Sequence, residues 1–135
     1  MILLDTHVLL WLADGDPKLG GKALALIRVS EESLRVSAMS YWECAMLSRK
    51  GRLTFSKPVF EWLDEVLGNG GIEAVPVTPV IAADAGSLPD SIHGDPSDRI
   101  IMATARALGC PLATADGPIL QYAAQGHLQA IDARR

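Results

Sequence analysis

The chain has 135 residues, a formal charge of −4, 49% hydrophobic residues and 21% charged ones. That balance suits a globular core and excludes a disordered chain, while no apolar run approaches the length that spans a bilayer. The acidic balance disfavours a surface that binds nucleic acid by charge alone, and aromatics at 5% leave few stacking platforms for bases.

In chain order, Met1–Asp5 is a short apolar run ending in an acid and reads as a buried strand. Leu19–Val29 carries Leu24 and Ile27 among alanines and predicts a helix, and Leu34–Ala38 a second strand. Ser40–Lys50 predicts a helix stopped by Gly51, with Trp42, Ala45 and Met46 on its apolar stripe. Lys57–Leu67 gives another helix closed by Gly68, Gly70 and Gly71, followed by a strand at Ile72–Val77 and a helix at Pro79–Leu88. Pro96–Leu108 has the clearest helical spacing, through Ile100, Ile101, Thr104, Ala107 and Leu108, with Gly109 as its stop. Pro111–Thr114 reads as a fourth strand, Ile119–Ala124 as a short helix and Leu128–Asp132 as a fifth strand. Strands apolar on both sides and alternating with helices imply an α/β three-layer sandwich, with a parallel sheet of four to five strands flanked by helices. No repeat or linker divides the sequence, so residues 1–135 are read as one domain.

The opening MILLDTHVLLWLADGD lacks the basic start of an export signal and carries an acid inside its apolar stretch. Cys44 and Cys110 have no metal-ligand spacing and read as reduced thiols packed as small hydrophobes. The expectation is a cytoplasmic protein without a membrane segment.

Four acids fall where such a fold places its crevice, beyond the carboxyl ends of the strands. Asp5 ends the first strand, Glu43 is expected in the first turn of the helix after the second, Asp98 lies in the first turn of Pro96–Leu108, and Asp116 follows the fourth strand. Each also has a local explanation. Ser40-Tyr41-Trp42-Glu43 matches a capping box, Asp95 suits an N-cap with Pro96 and Asp98 behind it, and Asp116-Gly117-Pro118 suits a turn. Asp5 resists that explanation, because acids are rare in buried strands. Two carboxylates about 5 Å apart repel by roughly 3 kcal/mol at an effective dielectric near 20. Four converging acids therefore need cations or captured protons, and an oxygen-only set suits Mg²⁺ or Mn²⁺ and phosphodiester chemistry.

The segments ILLDTHVLLW, SYWE, HGDPSDRIIMATA and LATAD resemble the four motif regions of PIN-domain proteins, in particular the VapC-type toxins of bacterial toxin–antitoxin pairs. The resemblance runs from about Met1 to Asp132, and DPSDRIIMATA is its most specific piece. It implies a PIN-like parallel sheet flanked by helices, Mg²⁺- or Mn²⁺-dependent cleavage of RNA, homodimers or larger toxin–antitoxin assemblies, and inhibition by a cognate antitoxin. By position, Asp5, Glu43, Asp98 and Asp116 match the acidic metal-site residues, and Thr6, Ser40 and Thr114 match hydroxyl residues that support the pocket. Asp95 is read as a helix cap.

Outside the acids, His7, His93 and His127 are weighed as general acids or ligands, and His7 has the best claim because it lies two residues after Asp5. Arg99 is expected in a surface ion pair, with a phosphate contact as the second choice. Arg49, Lys50 and Arg52, near Lys57, form the one dense basic group; they fit a helix C-terminus, and also a contact with RNA phosphates. Trp11, Trp42 and Trp62 are read as core or interface anchors, with the helices around Trp42–Leu47 and Phe60–Leu67 forming a groove for an antitoxin or second subunit. Three rival readings are a phosphatase of the haloacid-dehalogenase type, suggested by GDPSD, a response-regulator receiver, and a PIN-like module that binds RNA or protein without cutting. The first lacks an acid two residues after Asp5, and the second lacks an acceptor acid after the third strand, where Thr78 and Pro79 stand.

Overall fold

The computed structural model describes residues 1–30, 33–89, 92 and 94–135. Its centre is β1 (Ile2–Leu4), whose three side chains are all buried. The strand pairs in parallel with β2 (Leu34–Ser37) on one side and β4 (Leu112–Thr114) on the other. Outside these lie β3 (Glu73–Val75) and β5 (Ala130–Asp132), giving the order β3-β2-β1-β4-β5. The strand count thus sits at the upper end of the expected four to five.

Alternation of side chains across the sheet sorts the core into two layers. Ile2, Leu4, Val36 and Ala113 face one cluster, built with α1 (Thr6–Asp14), α2 (Gly21–Val29), α4 (Val59–Gly70) and Cys44 of α3 (Ala38–Arg49). Leu3 and Leu112 face the other, packed on Ile101, Met102 and Ala105 of α6 (Pro96–Leu108) and Ile119 and Tyr122 of α7 (Gly117–Ala124). Each fully buried Leu or Ile contributes about 1.5–3 kcal/mol from burial. α5 (Pro79–Gly86) lies on α6 through Ile81, Ala85 and Ala103, and an Arg106–Asp84 ion pair at 2.9 Å ties the two helices. Helices on both faces of a parallel sheet make the expected three-layer α/β sandwich. Cys44 and Cys110 are free, buried thiols, as expected. Among the described residues no helix is long and apolar enough to cross a membrane.

Helix α6 has the bounds expected from its spacing. Asp95 caps it by accepting from the Asp98 amide, Pro96 is at its start, and Gly109 closes it at φ 62°. Other elements depart from expectation, α4 by running on through Gly68 and Gly70 to close at Gly71, and α1 and α3 at their starts. Thr6–Asp14 is a helix that the reading of the apolar opening leaves unassigned: the Asp5 carboxylate accepts from the Thr6 amide, and Gly15 ends the helix in the left-handed region. The helix α3 begins at Ala38, because Ser37 and not Ser40 is the cap, its hydroxyl accepting from the Met39 amide at 3.0 Å. The capping box of Ser40 and Glu43 therefore does not form. Both residues lie inside the helix, and Glu43 is in the second turn.

Arg99 also departs from expectation. Its Nε donates to the Ala85 carbonyl at 2.9 Å and a terminal nitrogen to that of Ile92 at 3.5 Å. Because α6 packs against α5, this side chain is drawn to the end of α5, and among the described residues it enters no ion pair.

Candidate metal centre

From β1 the chain steps to β2 on one side and later returns to β4 on the other. The strand order reverses at β1, and in parallel α/β sheets a ligand crevice forms at such a point beyond the carboxyl ends. Asp5 occupies that position, immediately after β1. The α3 helix brings Glu43 from β2, α6 brings Asp98, and Asp116 follows β4 as the cap of α7.

One carboxylate oxygen each from Asp5, Glu43 and Asp98 lie within 4.8 Å of one another. Asp116 lines the same pocket of about 340 Å³ without joining that triplet, and its Oδ1 accepts from the Ile119 amide at 3.0 Å. All four expected acids thus border one hollow. Asp95, expected only as a cap, borders it as well. So do His7 and Trp11, four residues apart on α1; Trp11 went unnoticed as a site residue because the helix that pairs it with His7 was not legible.

The three expected hydroxyl residues hold two of these acids. Thr114 Oγ1 donates to Asp5 Oδ2 at 2.7 Å, while the Thr6 amide donates to Asp5 Oδ1 at 2.8 Å. Thr6 Oγ1 donates to Glu43 Oε1 at 2.8 Å and lies 2.8 Å from Ser40 Oγ. A carboxylate only accepts, and the Thr6 hydroxyl has one hydrogen, so Ser40 donates to Thr6 and Thr6 to Glu43. Ser40 and Glu43 are three residues apart on one helix face, which is why a single hydroxyl can meet both.

The electrostatics follow from burial and crowding. Desolvation raises the Asp5 pKa, against the lowering effect of its bonds from Thr114 and Thr6, and Glu43 raises it further. Asp98 is pushed up to about 7, first by desolvation and then by Asp5, Asp95, Asp116 and Glu43. These acids repel one another in a partly dehydrated hollow, a condition that a hard divalent cation or a captured proton relieves. The donors are all oxygens, with no Cys or His among the triplet, which fits Mg²⁺ or Mn²⁺ and does not fit a thiolate-seeking metal.

Other weighed residues fall elsewhere. His127 stacks on Tyr122 with ring centroids 4.3 Å apart, and its carbonyl accepts from Arg106. Arg106, Cys110 and His127 line a separate pocket, at the end of the sheet where β4 begins. His93 lies outside the described residues. Arg49, Lys50 and Arg52 are exposed at the end of α3, and Lys57 pairs with Glu65. Lys50 follows Glu43 by seven residues, which puts it on the same helix face about 10 Å along the axis.

A family model for the PIN domain matches residues 2–125. Ribonuclease VapC22 of Mycobacterium tuberculosis (strain ATCC 25618 / H37Rv) is 38% identical over 115 residues, covering 85% of this chain and 86% of that protein. The fold is similar to VapBC2 from Rickettsia felis bound to a DNA fragment from their promoter, with TM-score 0.70, 16% identity, and 97% and 98% of the two chains covered. It is also similar to FitAcB from Neisseria gonorrhoeae, with TM-score 0.63, 22% identity and coverage of 97% and 96%.

Proposed function

The chain belongs to the PIN-domain family, in its VapC-type branch, and from that premise we propose that it is a metal-dependent endoribonuclease acting as the toxin of a toxin–antitoxin pair. The observation that carries this reading is the triplet of Asp5, Glu43 and Asp98 at the point where the strand order reverses. These three residues would hold Mg²⁺ or Mn²⁺, Asp116 completes the acidic rim, and residues 1–135 work as one PIN domain. When bound, the ion supplies Lewis acidity and charge neutralisation at a phosphodiester.

The chain's own groups prepare the site. Thr6 and Thr114 fix both oxygens of Asp5, and the Ser40–Thr6 relay fixes Glu43, so neither carboxylate has to be ordered when substrate arrives. Asp98 is set by the start of α6, where the helix dipole favours a negative charge. Exposed Arg49, Lys50 and Arg52, at and just past the end of α3, take RNA phosphates outside the pocket.

The antitoxin and a second copy of the chain are the expected protein partners. Support comes from Trp42 and Phe60, which remain 54% and 68% exposed on α3 and α4, with Tyr41 and Phe60 rings 5.9 Å apart. Large aromatic surfaces of this kind are enriched at protein interfaces.

Single-stranded RNA incubated with the full chain is expected to be cut with Mg²⁺ or Mn²⁺, spared with EDTA, and spared by folded Asp5→Asn or Asp98→Asn. Cleavage that persists in both EDTA and Asp5→Asn protein contradicts the reading.

A further inference from the structure

Three of the four acids are placed by the sheet. Asp5 follows β1, Glu43 rides on the helix that leaves β2, and Asp116 follows β4. Asp98 differs, because α6 follows α5 and among the described residues no strand lies between them. Strand register therefore does not set the direction in which Asp98 points, and another contact has to. The next residue, Arg99, supplies one. Its Nε donates at 2.9 Å to the carbonyl of Ala85, one of the last four of α5, which the helix itself leaves open, and a terminal nitrogen lies 3.5 Å from the Ile92 carbonyl. The side chain is half-buried and borders a crevice of about 310 Å³ with Ala82, Ala85, Pro96 and Ile100. The stretch that its fork grips is anchored from behind as well. Leu88 and Ile92 pack on the second core layer, and the Tyr122 hydroxyl donates to the Pro89 carbonyl.

We propose that Arg99 is a positioning residue: by tying the first turn of α6 to the Ala85 and Ile92 carbonyls it fixes the rotation of that turn, and so the approach of Asp98 to Asp5 and Glu43. The inference rests on the metal-site reading above. Consecutive helical residues point about 100° apart, so the guanidinium can hold α5 while the carboxylate faces the pocket. A group about 5–6 Å from the helix axis moves about 1 Å when the helix turns by about 10°. That exceeds the roughly 0.5 Å within which a ligand set has to be held. The two carbonyls also explain the residue type, since a planar fork of donors spans both and a single ammonium does not.

The test titrates the metal-free full chain with Mn²⁺ by calorimetry, without RNA, in the wild type, Arg99→Gln, Arg99→Lys and Arg106→Gln. Arg106 ties the same two helices through Asp84, seven residues and about 10 Å further along α6, so its loss loosens the pair without touching the first turn. Arg99→Gln is expected to weaken Mn²⁺ binding about ten-fold and to lower kcat on single-stranded RNA with KM nearly kept. Arg99→Lys is expected to recover only part of that loss, and Arg106→Gln to lower the Tm at wild-type Mn²⁺ affinity. Wild-type Mn²⁺ affinity in folded Arg99→Gln overturns the proposal, and a raised KM alone then marks Arg99 as a phosphate contact. Full recovery in Arg99→Lys overturns it because charge then suffices, and an equal loss in Arg106→Gln because any loosening then acts alike. Should Arg99→Gln not fold, Arg99→Lys carries the test, and unchanged Mn²⁺ affinity there overturns the proposal. Wild-type protein that binds no Mn²⁺ overturns the metal-site reading along with it; the other failures leave that reading standing.

Discussion

Neutralising Asp98 should stabilise the metal-free protein while abolishing its activity. Asp98 has its pKa pushed up to about 7 by burial and by Asp5, Asp95, Asp116 and Glu43, against an ordinary value of 3.8. Between those values the folded chain keeps a proton that the unfolded chain has lost. Asp98's own contribution to stability without metal is therefore fully present below about pH 4, is lost as the pH rises, and levels off above 7. Three pKa units correspond to about 4 kcal/mol. Asp98 is half-exposed, so solvent screening reduces this to about 1–2 kcal/mol, and the lost attraction to the start of α6 takes back a few tenths. For a chain of this size Asp98→Asn should raise the metal-free Tm at pH 8 by roughly 5 °C. The gain should shrink as the pH is lowered towards 4. Saturating Mn²⁺ should raise the Tm of the wild type, because it binds only the folded state, and should leave the variant's Tm nearly unmoved. Circular dichroism melts at pH 4.5 and 8, with EDTA or Mn²⁺, provide the readings. A variant with native secondary structure that melts at or below the wild-type temperature at pH 8 in EDTA would refute the argument that these acids destabilise one another.

Thr114→Val keeps the shape of a fully buried side chain but removes the hydroxyl that donates to Asp5 and accepts from the Asp116 amide at 3.1 Å. It should cost about 1–3 kcal/mol in urea unfolding and lower Mn²⁺ affinity about 10- to 100-fold by calorimetry; unaltered affinity would show that Asp5 needs no such support. Gly20→Ala should also destabilise: a Cβ there would lie 2.1 Å from the Arg135 carbonyl carbon and 2.6 Å from that of Arg134, where the tail accepts the Gly20 and Lys22 amides at the start of α2. A loss of about 1–3 kcal/mol is expected, and a melt within 1 °C of wild type contradicts this packing. Arg49→Glu with Lys50→Glu should weaken RNA binding to Asp98→Asn protein and flatten the log–log salt dependence by about one to two; fluorescence anisotropy with an unchanged slope would remove these cations from the interface.

Local chemistry made much of this protein legible. Helix α6 shows its apolar stripe, its Asp95 cap, Pro96 and Gly109 within one stretch, and every one of those signals acts between residues at most four apart. The strands Ile2–Leu4 and Leu112–Thr114 are legible for a similar reason: a strand covered on both faces has to be continuously apolar. An acid at the end of such a strand stands out, and so Asp5 marks the crevice.

Other features depended on partners far along the chain. The apolar opening can serve as strand or helix, and only the sheet pairing of residues 2–4 leaves Thr6–Asp14 to coil. Two serines compete to cap α3, and the structure selects Ser37, which turns Ser40 and Glu43 inward to meet the Thr6 hydroxyl 34 and 37 residues away. Arg99 meets α5 because of how two helices pack, and Thr114 reaches Asp5 across 109 residues because β4 lies beside β1. Charge, hydroxyl and helix-start preferences are local properties, so the order of amino acids marks the residues able to carry the chemistry. Which of them share a hollow follows from the strand order, which sets distances that no local preference encodes.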